Sequence, residues 1–306
     1  MNCNPRNDLG RGSSKNKYCV NIMIETRCIA TAGDANYYPG VAALLRSLKR
    51  TNPEIPLIVF DGGFTVRQRN RIKRFAGVVR KEPFAGITGR GKFSYIGDTT
   101  LLKFEVAELE FDKVLFLDCD TVVLDRLENA FEIPPGRVGA VRERTALKNI
   151  FRLKDRPVLM KVLGLEWEET VINGGMFVLR PSEWKDLKGK AEDLISAFGA
   201  DTFSKTKDHQ LLNIIFSGKI HDLPGKYNFS PVYDEDGITE PAVIHYLEEK
   251  KPWHAGYPEK LRYREYRENV SVGDCPAILV VDGCRKIRRV SRILSRAAEG
   301  LFRKCE

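Results

Sequence analysis

The chain has no apolar run approaching the roughly 18 to 20 residues that a membrane-crossing helix needs. Its polar start (Asn2, Asn4, Arg6, Asn7, Asp8) also lacks the apolar stretch of a secretory leader. The expected location is therefore cytoplasmic. The seven cysteines, Cys3, Cys19, Cys28, Cys119, Cys275, Cys284 and Cys305, are odd in number and contain no Cys-x-x-Cys pair, which argues against a zinc site and a disulfide framework. No Gly-x-Gly-x-x-Gly follows the first strand, so a dinucleotide enzyme is not indicated. Gly86-Ile-Thr-Gly-Arg-Gly-Lys92-Phe93 nearly fits a phosphate-loop pattern. However, Phe93 stands where a hydroxyl must reach magnesium, and no buried strand precedes it. Nothing repeats.

What is present is globular. The 306 residues are 42% hydrophobic, enough to bury a large core. Charge is uneven: residues 285–304 carry eight cations (Arg285, Lys286, Arg288, Arg289, Arg292, Arg296, Arg303, Lys304) against Glu299, or +7 of the chain's +9. Ile287, Val290, Ile293, Leu294, Ala297 and Leu301 share one helical face there, so the segment reads as a basic amphipathic helix suited to an anionic membrane surface. Its alternative is a packed terminal helix with a solvated basic face. Nucleic acid is not expected, because no aromatic-plus-basic strand accompanies the charge.

From Val20 onward strand and helix alternate. Val20 to Ala30 reads as apolar strand; Val41, Leu44, Leu45 and Leu48 form a helical stripe; Pro56 to Phe60 is a strand ending at Asp61-Gly-Gly. Further elements are a helix over Thr99 to Leu109, a short strand at Val138 to Val141, a strand from Val171 to Leu179 interrupted by Gly174-Gly175, and helices over Ser182 to Phe198 and Asp208 to Phe216. This alternation predicts an α/β fold with a mixed, mostly parallel sheet flanked by helices. Between Lys113 and Asp120 the chain reads Lys-Val-Leu-Phe-Leu-Asp-Cys-Asp: a strand apolar on both faces that stops at two carboxylates. Open α/β sheets bind ligands at that end of a strand, so Asp118 and Asp120 are candidate ligands for a divalent cation, with Cys119 packed behind them. The loops Phe84 to Thr99 and Arg142 to Glu169 carry no readable code.

Further motifs follow in order: Asn173-Gly-Gly-Met-Phe-Val-Leu, Asp208-His-Gln-Leu-Leu-Asn213, Leu223-Pro-Gly-Lys-Tyr-Asn228 and Val243-Ile-His-Tyr-Leu-Glu-Glu-Lys-Lys-Pro-Trp253. With these the chain resembles, over roughly residues 25 to 254, the family 8 retaining glycosyltransferases, relatives of glycogenin and bacterial galactosyltransferases. The resemblance implies a GT-A fold over residues 18–274, with residues 1–17 as an N-terminal extension and 275–306 as the basic tail. It also implies transfer of a hexose, glucose or galactose, from a UDP-sugar to a carbohydrate or glycolipid acceptor.

The resemblance assigns uridine to Ala32, Asp34, Asn36 and Tyr37, where a carboxylate, an amide and a stacking ring suit a base. Without it, Asp34 or Asn36 reads as a helix cap. Lys103 and Lys251 match donor-contacting basic residues. His245 joins Asp118 and Asp120 as the third metal ligand, and an oxygen-rich shell with one nitrogen suits manganese or magnesium. Asn173, Gly174, Asp208 and His209 would surround the reacting sugar. Two positions depart from the pattern. His209 stands where many members have glutamine; a neutral ring nitrogen could substitute, or Gln210 could swing in. Glu248 stands where glycine is usual, and must turn away from phosphates or pair with Lys250 or Lys251. A nucleotide-sugar-binding protein without transferase activity is the alternative reading.

Overall fold

The computed structural model describes residues 26–81, 98–233 and 237–275. The N-terminal extension, the Gly-rich stretch at 86–92 and the basic segment 285–304 lie outside them, as do Val20 to Glu25 of the expected first strand.

Seven strands form the main sheet in the order β3-β2-β1-β4-β7-β6-β8. These are β1 (Arg27–Gly33), β2 (Leu57–Asp61), β3 (Gly77–Arg80), β4 (Lys113–Leu117), β6 (Val138–Ala146), β7 (Thr170–Leu179) and β8 (Ile220–Asp222). β1 pairs in parallel with β2 on one side and β4 on the other. β2 with β3 and β6 with β8 are also parallel, while β7 runs antiparallel between β4 and β6. The sheet is thus mixed and mostly parallel. Because the chain leaves β1 first to one side and later returns on the other, the carboxyl ends of β1 and β4 lie together at a topological switch point, the place where such sheets bind ligands. A separate antiparallel ribbon joins β5 (Thr121–Val123) to β9 (Val243–His245), with Thr121 opposite His245.

Local sequence explains the helices that matter here. α1 (Tyr38–Thr51) starts with Pro39, which is pre-set for a first turn, and buries Val41, Leu44, Leu45 and Leu48 as the stripe predicts. Gly40 lets it approach the site: a Cβ there would fall 2.5 Å from the Cys119 carbonyl and 2.8 Å from the Trp253 ring. α2 (Val66–Ile72) begins with reciprocal Thr65 and Gln68 caps. The remaining helices are α3 (Arg156–Leu163), α4 (Leu187–Phe198), α5 (Asp208–Ile215) and α6 (Tyr263–Glu268).

Several expected elements differ in extent. Residues Asp98–Glu108 wind as a 3₁₀ helix instead of an α-helix; every residue from Leu101 to Ala107 is buried, so the segment is packed on all sides and not along one stripe. The helix expected from Ser182 begins at Leu187, after a 3₁₀ turn at Pro181–Glu183. β6 runs past Val141 to Ala146 with register shifts against β7 that an alternation pattern cannot reveal. β7 is continuous through Gly174 and Gly175, which are extended residues chosen for lack of a Cβ and not for a turn. The end of the described chain is tied down by Asp274, which accepts from Tyr38 Oη at 2.8 Å and pairs with Arg71 at 2.9 Å and with Arg46.

Candidate active site

A cavity of about 790 Å³ opens at the switch point and is lined by Ala32, Asp34, Asn36, Tyr37, Asp118, Asp120, Asn173, Gly174, Asp208, His209, His245 and Lys251. Of the thirteen site residues expected from sequence, twelve therefore face one space. The thirteenth, Lys103, is 1% exposed and lies directly behind it.

β4 delivers the acidic pair. Asp118 N donates to the Gly175 carbonyl at 2.8 Å and Thr121 Oγ1 to the Asp118 carbonyl at 2.7 Å, which fixes the turn from β4 into β5. β5 in turn pairs with β9 and presents His245, 2% exposed, to that turn. His245 Nε2 stands 3.2 Å from Asp120 Oδ1 and 3.9 Å from Asp118 Oδ2. One ligand atom from each of the three lies within 4.8 Å of the others, a cluster of two carboxylates and an imidazole that could hold a divalent cation.

Charge around the cluster is nearly balanced. Lys251 Nζ is 2.8 Å from Asp120 Oδ2 and donates to the Tyr246 carbonyl at 2.7 Å. Lys103 Nζ is 3.0 Å from Asp118 Oδ1, 2.5 Å from Asp208 Oδ2 and 3.0 Å from the Gly174 carbonyl. Three carboxylates thus face two ammonium groups, which leaves room for added positive charge. Burial raises the carboxyl of Asp118, and the neighbouring Asp120 adds to this, against the pull of Lys103. Asp120 is also buried, but Lys251 and His245 outweigh that and hold it well below the usual carboxylate range. For Lys103 burial works to remove the proton, and Asp118 and Asp208 overcome it, holding the ammonium above its ordinary value.

On the β1 side, Asp34 Oδ1 accepts from the backbone of Asn36 and Tyr37 at 2.9 and 3.1 Å, and its Oδ2 takes Thr99 Oγ1 at 3.1 Å. It shapes the turn into α1 while facing the cavity. Tyr37 meets Trp253 edge-on at 5.7 Å. On the β7 side, Asn173 donates to Glu143 at 2.7 Å and accepts from Gly175 N at 2.9 Å. His209 Nε2 lies 2.8 Å from the Ile172 carbonyl, so that nitrogen carries the proton and Nδ1 the lone pair.

The two departures resolve differently. Gln210 is fully buried, with its oxygen taken by Thr206 N and its nitrogen given to the Thr202 carbonyl. It is not free to swing into the cavity, so His209 alone stands at that position. Glu248 turns to the Tyr257 hydroxyl at 3.4 Å and is not among the residues lining the cavity. Sequence reasoning missed Glu143, which gave no signal within a charged stretch, and gave no role to Asn228, although the motif containing it was visible.

The family model for glycosyl transferase family 8 matches residues 28–256. The chain belongs to that family. Among curated relatives, a probable glycosyl transferase Gly of Streptococcus gordonii is 29% identical over 56% of this chain and 24% of its own length. This chain therefore spans about a quarter of that protein. Galactinol synthase 2 of Solanum lycopersicum is 23% identical over 81% of this chain and 75% of its own. Among solved structures, galactosyltransferase LgtC in complex with donor and acceptor sugar analogs superposes with a TM-score of 0.64 at 21% identity, covering 79% of this chain and 96% of that one. The architecture is the GT-A fold that the motif order implied.

Proposed function

We propose that this family 8 member transfers a hexose, glucose or galactose, from a UDP-sugar to a carbohydrate or glycolipid acceptor, with the anomeric configuration retained. The observation that carries the reading is that the Asp118–Asp120–His245 cluster and the Asp34–Tyr37 turn face one cavity. In this reading Ala32, Asp34, Asn36 and Tyr37 hold uridine, and Asp118, Asp120 and His245 would hold manganese or magnesium. The cation's contribution when bound is to neutralise charge developing on the departing UDP. Lys251 adds positive charge at the same end of the cavity.

Asn173, Gly174, Asp208 and His209 surround the sugar. The carboxylates nearest it are already engaged, Asp208 by Lys103 and Glu143 by Asn173. That favours direct attack by the acceptor hydroxyl on the face the leaving group departs from: the new C1–O bond forms as the bond to UDP breaks, and the leaving phosphate takes the hydroxyl proton. The galactosyltransferase and galactinol synthase likenesses support a hexose. The test is transfer or hydrolysis of UDP-galactose and UDP-glucose with manganese, with EDTA and with Asp120→Ala. Turnover should disappear in the last two, with circular dichroism checking that Asp120→Ala, which leaves Lys251 without its carboxylate, still folds. Undiminished turnover in EDTA would sink the metal-dependent reading.

A further inference from the structure

Two residues outside the predicted ligand set bear directly on the His245 ring. Asn228 Oδ1 lies 2.9 Å from His245 Nδ1. A carbonyl oxygen only accepts, so in this arrangement Nδ1 holds the proton and Nε2, the nitrogen facing Asp118 and Asp120, is the one left to offer a lone pair to a cation. The reverse amide orientation would have Asn228 donate to Nδ1 and force a neutral ring to protonate at Nε2, toward the carboxylates, where it could bind no metal. The second residue is Gly175. A Cβ at this position would fall 2.1 Å from His245 Cε1 and 2.7 Å from Nδ1, so no larger residue fits without displacing the ring.

Both residues are held by the elements that build the site. The His245 backbone N–H donates to the Phe229 carbonyl at 2.8 Å, so adjacent residues Asn228 and Phe229 fix the ring and the main chain of His245 together. Gly175 sits in β7, its carbonyl receiving Asp118 N at 2.8 Å and its N–H bonded to Asn173 Oδ1 at 2.9 Å. The same glycine therefore positions one candidate ligand through its carbonyl and admits another through its missing side chain.

We infer that Asn228 and Gly175 are positioning residues for the cation site: Asn228 selects the His245 tautomer that can ligate through Nε2, and Gly175 supplies the space in which the ring reaches that orientation. The inference rests on the metal reading above and gives a purpose to two motif residues that reading leaves without one. Partners of a ligating imidazole's second nitrogen are worth about 10- to 100-fold in metal affinity.

The experiment uses the full chain with UDP present. Manganese is titrated and the free ion read by electron paramagnetic resonance, and pulsed measurement of the bound ion reports coupling to imidazole nitrogen. Asn228→Leu, close in volume and without an acceptor, should bind manganese about 10- to 100-fold more weakly and lose the nitrogen coupling, as His245→Ala should. Asn228→Asp, which still accepts from Nδ1–H, should keep the coupling and stay within about threefold of wild type. Gly175→Ala should weaken binding by about tenfold or more. Circular dichroism and melting without metal serve as folding controls. Wild-type affinity and coupling in Asn228→Leu, or equal losses in the Leu and Asp variants, would overturn the tautomer role while leaving the metal site standing. Wild-type protein that takes up no manganese would overturn the metal reading itself, and this inference with it.

Discussion

Lys103 and Asp208 face each other at 2.5 Å, and this contact uses the third proton of an ammonium that already serves Asp118 and the Gly174 carbonyl. A lysine has three donors and no acceptor. With three partners and 1% exposure, Lys103 is saturated and ties the Asp118 and Asp208 carboxylates together from behind the cavity. Lys103→Met should leave two carboxylates facing each other across a buried gap and cost about 2 to 4 kcal/mol, below the full range for breaking a buried pair because Asp118 keeps partial contact with solvent. The loss should be largest at pH 7 and shrink toward pH 4, because the Asp118 carboxyl, raised by burial, takes up a proton over that range. Melting curves at both pH values check this, and an equal loss at each would exclude the charge role.

The parts of this arrangement that were legible in sequence are those written locally. β4 is apolar on both faces and ends at Asp118, and the α1 stripe recurs at helical spacing, so both elements and the acidic turn could be read directly. His245 was legible only through motif order, because its place beside Asp118 and Asp120 depends on β9 pairing with β5 across more than a hundred residues. The saturation of Lys103 was not legible at all. It requires the 3₁₀ segment, the end of β4, β7 and the start of α5 to converge, and no single window contains that information. The polar end of β6, with Arg142, Glu143, Arg144 and Thr145 all lining the cavity, has no hydrophobic alternation because that part of the strand faces the cavity and not the core.

Asp274 predicts an acid-sensitive contribution to stability. Burial alone would raise its carboxyl, but Ser271, Tyr38 and Arg46 outweigh this and lower it to about 2. A carboxyl lowered on folding stabilises the native state above its unfolded value near 4, and that stability is lost as pH falls from about 4 through about 2. Asp274→Asn should therefore lower stability by about 1 to 2 kcal/mol at pH 7, allowing for solvent screening, with the difference from wild type narrowing below pH 4. Urea midpoints at pH 7, 4 and 3 measure it. A constant difference across that range would show that the contacts matter through packing and not through charge.

His209 is the position where chemistry departs most from the family pattern, and its geometry makes the departure testable. With Nε2–H given to the Ile172 carbonyl, the tautomer of the uncharged ring that fits has its lone pair on Nδ1, as a glutamine carbonyl would carry one. In the proposed reaction such a lone pair would stabilise positive charge developing at the sugar carbon. His209→Gln restores the common residue and should keep measurable turnover. His209→Ala removes the lone pair and should lower kcat about 10- to 100-fold with little change in affinity for UDP, because Asp34 and Tyr37 lie on the β1 side of the cavity. Values of kcat and KM for the three proteins decide the matter. If the alanine enzyme matches wild type in both, His209 serves only to brace β7, and in the proposed reaction stabilisation of the developing cation must come from the donor's own phosphate.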